Sequence, residues 1–232
     1  FMETAPDDAQ RIEECRWAMA LADQPHSIID GLVLGSRPES EDTDAFVDQV
    51  RHRKLVGVRR ILHVMPDELS QQSVFIENVR KLAKHNLTFD LCVLARQLPI
   101  GSKLVQACPE VQFILDHCGV PNIAGGDLDP WRDDLRSLAA CDNVACKVSG
   151  LLAYCDPSNA TVDAVRPYVE HAIECFGWDR VVWGSDWPVV TMTSDLATWI
   201  DVSRQLVAGE SEANQRRLFA ENAQRIYLKE GS

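Results

Sequence analysis

An α/β fold built on a parallel sheet is what this 232-residue sequence predicts. Three features predict it. Short apolar runs alternate with longer amphipathic ones almost throughout. The short runs are rich in Val, Ile, Leu and Phe, as strands buried on both faces are. Polar residues gather at their C-terminal ends.

The strand-like runs are IIDGLVLG (28–35), VGVRRILH (56–63), LTFDLCVL (87–94), VQFILDHC (111–118), NVACKVSG (143–150) and RVVWGSDW (180–187). A stub at FMET, before the first helix, brings the expected count to seven. The helix-like segments between them begin with RIEECRWAMALAD (11–23), which sets Ile12, Cys15, Met19 and Ala22 on one face. In SVFIENVRKLAKH (73–85) Val74, Phe75, Val79 and Leu82 do the same. DTDAFVDQVRH, DDLRSLAAC, VDAVRPYVEHAIECF and DLATWIDVSRQLV complete the set. Most open on Asp, Ser or Thr, whose side chains accept from the free N–H groups of a first helical turn.

Strand–helix repeats of about 25–35 residues form right-handed βαβ units, which leaves an open doubly wound sheet or a (β/α)8 barrel. No G-x-G-x-x-G or G-x-x-x-x-G-K follows a strand, so dinucleotide and P-loop sites lack their phosphate cradle. The polar residues at strand ends are Arg59, Arg60 and His63, then Asp90, then Asp116 and His117, then Lys147 and Ser149, then Ser185 and Asp186. In a barrel these ends converge on one mouth, where active sites lie. The expectation is therefore a (β/α)8 TIM barrel, as one domain over residues 1–232.

Composition narrows the partners. A formal net charge of -12 argues against nucleic acid or an anionic membrane surface. No apolar run approaches the roughly 20 residues of a bilayer span, and no signal sequence opens the chain. Eight cysteines are scattered without a CxxC pair, which reads as reduced thiols in a cytoplasmic protein. A small-molecule substrate is the expected partner, and a homo-oligomer stays open.

Asp186 stands at the end of an apolar run in VVWGSDWPV, and His117 beside Asp116 in ILDHCGVP. Each could be structural, as a turn cap or a satisfied core group. Together at strand ends they can pair, bind a divalent ion or activate a water. Arg59 and Arg60 point to opposite sides of their strand, so one at most faces the lumen; a guanidinium there can grip a substrate carboxylate bidentately. Arg96, in LARQLP, and His63 are further candidates for substrate contact. Lys147 reads as a buried ion pair, and His26, His52, His85 and His171 read as surface residues.

Five segments carry a resemblance: LTFDLCVLARQLP, FILDHCGVP, VACKVSGL, FGWDRVVWGSDWPV and FAENAQRIY. Their order resembles the lactonase branch of the amidohydrolase superfamily, which includes L-fuconolactonase-like and 2-pyrone-4,6-dicarboxylate-lactonase-like proteins. The resemblance implies a barrel that hydrolyses an anionic or hydroxylated lactone. It implies Asp186 as the general base and His117 as the group that holds and polarises the attacked carbonyl. It implies substrate contacts at Arg59 and Arg96. A divalent metal, zinc first among the choices, would sit on His117 and Asp186, and several members of the branch work without one. The family's first strand carries His-x-His, which occurs nowhere here; the match starts at what would be the second strand, so the barrel is expected to lack its first βα unit in this chain. Two other readings remain: a metal-dependent decarboxylase of the same superfamily, and a non-catalytic binding barrel.

Overall fold

The computed structural model describes residues 1–229. The domain expected over 1–232 therefore ends in three residues, 230–232, outside the described ones. Six parallel strands form one sheet in chain order: β1 (Leu32–Gly35), β2 (Leu55–Ile61), β3 (Thr88–Cys92), β4 (Phe113–Leu115), β5 (Val144–Val148) and β6 (Val181–Trp183). This neighbour-to-neighbour parallel order is that of a barrel wall, and among the described residues the sheet is not closed. The FMET stub makes a single bridge, Met2 to Val33, rather than a seventh strand. Pro6, which has no N–H to give a ladder, follows shortly after it.

The helices are α1 (Arg11–Ala22), α2 (Thr43–Gln49), α3 (Ser73–Lys81), α4 (Leu98–Ala107), α5 (Trp131–Ala139), α6 (Val162–Phe176), α7 (Leu196–Leu206) and α8 (Glu212–Arg216), the last running on in π-helical turns to Leu228. Asp42, Thr161, Asp195 and Ser211 cap α2, α6, α7 and α8 through their side chains. α4 and α8 are not among the expected helices; in α4, Pro99 and Gly101 are weak helix formers. Pro99 lies in the first turn, where its missing N–H costs nothing. Gly101 faces Leu91 so closely that an added Cβ would stand 3.1 Å from it. No helix among the described residues is long and apolar enough to cross a membrane.

Strand alternation divides the sheet into two faces. Phe89, Leu91, Phe113, Leu115, Val144, Cys146, Val148 and Val181 belong to the main apolar core with the helices. Arg59, Asp90, Ile114 and Ala145 stand in register on the other face. The lower part of this second face, Ile114, Ala145 and Val182, is covered by Ala223, Ile226 and Tyr227 of the C-terminal helix. Its upper part carries charge. All eight cysteines are free, and six of them are buried. His171, expected on the surface, is buried on α6, its ring between Glu174 and the Arg132 carbonyl. Val74, expected on the apolar face of α3, is instead exposed.

Candidate active site

His117 and Asp186 come from the ends of β4 and β6 and meet with Nε2 3.7 Å from Oδ1. Both residues, at φ 53° and φ 51°, hold left-handed backbone. Such conformations cost on the order of 1–3 kcal/mol each and persist where surrounding structure imposes them, often at functional sites. The other ring nitrogen of His117, Nδ1, lies 2.9 Å from the Ser149 hydroxyl, which holds the ring plane. Burial pushes the His117 pKa down against the pull of Asp116 and Asp186, keeping the imidazole neutral. Burial also raises the Asp186 pKa, while His117 opposes the shift. Asp186 Oδ2 is buried and accepts no hydrogen bond among the described residues. The carboxylate is thus a poorly solvated base with one oxygen to spare.

Gly150 makes this meeting feasible. Its φ is +70°, and a Cβ built there would stand 2.7 Å from both Asp186 Oδ2 and His117 Nδ1. Gly150→Ala must therefore spread the pair. A misplacement of about 1 Å can cost on the order of a hundredfold in rate, so this variant is expected to lose activity on that scale. The ratio of kcat/KM to the parent, with circular dichroism to confirm the fold, checks it.

Beneath the pair lies a buried ion network. Lys147 Nζ donates to Asp90 Oδ1 and Asp116 Oδ1, each at 2.6 Å. Arg59 donates from Nε to Glu3 Oε1 at 2.7 Å and from Nη1 to Asp116 Oδ2 at 3.1 Å. The Tyr227 hydroxyl donates to Asp90 Oδ1 at 2.7 Å. Burial alone would raise the Asp116 pKa, but Lys147 and Arg59 override it and hold the carboxyl well below the usual range. At Asp90 burial wins over the pull of Lys147, and its pKa rises.

The structure brings most of the sequence-predicted residues together. His63 Nδ1 lies 3.4 Å from Cys92 Sγ, and burial lowers its pKa. Arg59 faces the lumen and Arg60 the opposite side, paired with Glu39. Arg59, a candidate for substrate contact, pairs through its guanidinium with Glu3 and Asp116. Arg96 is exposed and bound through Nη1 to both oxygens of Asp67. Sequence reasoning missed Glu3, Cys92, Tyr154 and Tyr227. Tyr154 stacks obliquely near His117, with ring centroids 6.3 Å apart. Three of the four stand in no pattern that announces chemistry. Cys92 alone carried a usable signal, since it points to the same face as Asp90 two residues earlier.

The donor set suits a divalent ion. A neutral imidazole beside a carboxylate with an unpartnered oxygen is one half of it. Cys92, Asp116 and His117 each offer a ligand atom, and all three atoms lie within 4.8 Å of one another.

This parallel sheet, with histidine and aspartate at the ends of its strands, defines a hydrolase-type (β/α)-barrel site. The chain belongs to the amidohydrolase family, whose model, described as Amidohydrolase, matches residues 5–229. It is 31% identical over 195 residues to an L-fucono-1,5-lactonase of Burkholderia ambifaria, covering 81% of this chain and 67% of that protein. A crystal structure of an amidohydrolase from Burkholderia multivorans with bound zinc superimposes with a TM-score of 0.87 at 26% identity, over 93% of this chain and 79% of that one. A 2,6-dihydroxybenzoate decarboxylase from Rhizobium, at 16% identity and a TM-score of 0.64 over 98% of this chain and 80% of that one, shares the fold.

Proposed function

We propose that the chain is a lactonase that opens an anionic or hydroxylated lactone, with Asp186 as general base. The observation that carries this reading is the His117–Asp186 pair, 3.7 Å apart at two strand ends, with a buried and unpartnered carboxylate oxygen. Asp186 takes a proton from water as the water oxygen bonds to the lactone carbonyl carbon. Negative charge then builds on the carbonyl oxygen, and a donor or cation placed there is worth roughly 3–4 kcal/mol. His117, held through Ser149 and 3.7 Å from Asp186, would polarise that oxygen. When the tetrahedral centre collapses, the ring C–O bond breaks and the proton held by Asp186 passes to the departing alkoxide. The products are a hydroxyl and a carboxylic acid, which releases its proton to solvent. A divalent ion on His117 and Asp186, with zinc the proposed identity, would polarise the carbonyl.

We assign Arg59 to orienting Asp116, and His63 to the wall of the site. Arg96 serves substrate only where substrate displaces Asp67. Trp187 and Met192, 64% and 76% exposed just beyond Asp186, offer apolar surface for a ring face.

The test is hydrolysis of a panel of sugar-acid and carboxylated lactones by the purified chain, followed by acid release. Carbon dioxide evolved from an aromatic acid, without lactone opening, would replace this reading with the decarboxylase one. The pH profile adds a second check. Asp186 must be ionised to act, so activity falls as pH drops through its pKa. Because burial raises that pKa, the acid limb of kcat/KM is expected above the ordinary aspartate value of about 3.9. A limb at or below that value would remove Asp186 from the role.

A further inference from the structure

We propose that Cys92 is a metal ligand of this site, a thiolate that joins His117 and an aspartate around a divalent ion. The proposal rests on the metal in the reading above, but its test does not need turnover.

Three observations support it. The first is position. Cys92 is the last residue of β3, on the same face as Asp90, and its Sγ reaches the common space of Asp116 and His117 within 4.8 Å. Ligands around a tetrahedral zinc stand roughly 3–4 Å apart for bonds of about 2.0–2.3 Å, so small rotations bring these atoms into range. The second is ligand number. His117 and Asp116 supply two donors close to each other, while zinc sites of either structural or catalytic kind take at least three from protein. Cys92 provides the third. Asp116 retains lone pairs for its contact, because each of its oxygens accepts from one cation among the described residues.

The third is charge. Glu3, Asp90, Asp116 and Asp186 set four carboxylates around two cations, Arg59 and Lys147. Ionised, the cluster holds two negative charges in excess, and uncompensated charge away from water is costly. Two of its carboxylate oxygens, Asp90 Oδ2 and Asp186 Oδ2, are buried without a hydrogen-bond partner. A divalent cation offsets these two charges, and the Cys92 thiolate formed on binding leaves the site with one net negative charge. On binding, the Cys92 thiol loses its proton to solvent, with the His63 ring, 3.4 Å from Sγ, beside it on the way out.

Cobalt substitution tests this directly. The full chain is stripped with chelator and titrated with Co2+, and the absorption spectrum is recorded with metal content measured in parallel. The expected result is one bound ion per chain with a near-ultraviolet thiolate-to-cobalt charge-transfer band. Cys92→Ser is expected to lose that band and bind at least about tenfold more weakly, and His63→Ala to keep the band. Cobalt bound without the band, no cobalt bound, or an unchanged band in Cys92→Ser would each overturn the proposal. Should Cys92→Ser not fold, zinc-edge X-ray absorption of the parent decides: one sulfur neighbour at about 2.3 Å supports it, and a shell of nitrogen and oxygen alone overturns it. A lactonase that fails this test remains a lactonase. A chain that passes it without opening any lactone has a metal site and a different reaction.

Discussion

Asp186→Asn is expected to leave the fold intact and to lower kcat by at least about a hundredfold, the usual worth of a positioned base. The substitution keeps the shape of the side chain and removes its basicity. Stability should change little, since Oδ2 forms no hydrogen bond that the amide would lose. KM should move less than kcat, because the lost interaction with water develops mainly in the transition state. Steady-state kinetics on any lactone the parent opens, beside thermal unfolding of both proteins, gives the answer. Near-parental turnover in the variant would mean that some other group activates the water.

Lys147→Met carries the largest expected cost in stability. Lys147 lies between Asp90 and Asp116, both fully buried, and among the described residues it is the one cation that touches them both. A methionine fills nearly the same volume, so packing is kept while two carboxylates lose their shared partner. Removing one member of a buried pair typically destabilises by about 3–5 kcal/mol. At about 2–4 °C per kcal/mol for a chain of this size, the midpoint of thermal unfolding should fall by on the order of 10 °C. The loss should depend on pH in a defined direction. Without the ammonium the carboxyl groups hold protons more tightly when folded than when unfolded, so the deficit is largest at neutral pH and shrinks as pH falls and both become neutral. Urea midpoints of parent and variant at neutral and acid pH check both statements. A difference below about 1 kcal/mol at neutral pH would show that the network is dispensable for stability.

Much of this molecule is legible one segment at a time. Each strand falls inside its expected run, β2 alone beginning one residue before it, and α6 spans the residues of its predicted segment, because burial on both faces and a capping Thr161 are written locally. The opposite orientations of Arg59 and Arg60 follow from strand alternation alone. The misreadings have equally local causes. A proline in the first turn hid α4, and His171 reads as polar until the Arg132 carbonyl, 39 residues away, is seen to meet it.

The parallel α/β wall and the placing of His117 and Asp186 at strand ends are legible in the chain alone, since periodicity and strand termini are properties of neighbouring residues. What those residues meet is set by the packed fold. It gave Arg59 to Glu3 and Asp116, 56 and 57 positions away. It set Tyr227 on Asp90 across 137 positions, and it left Gly150 as the gap through which base and imidazole approach. A charge in the core is defined by its partner, and the partner is chosen by packing the whole sheet, which no local pattern encodes.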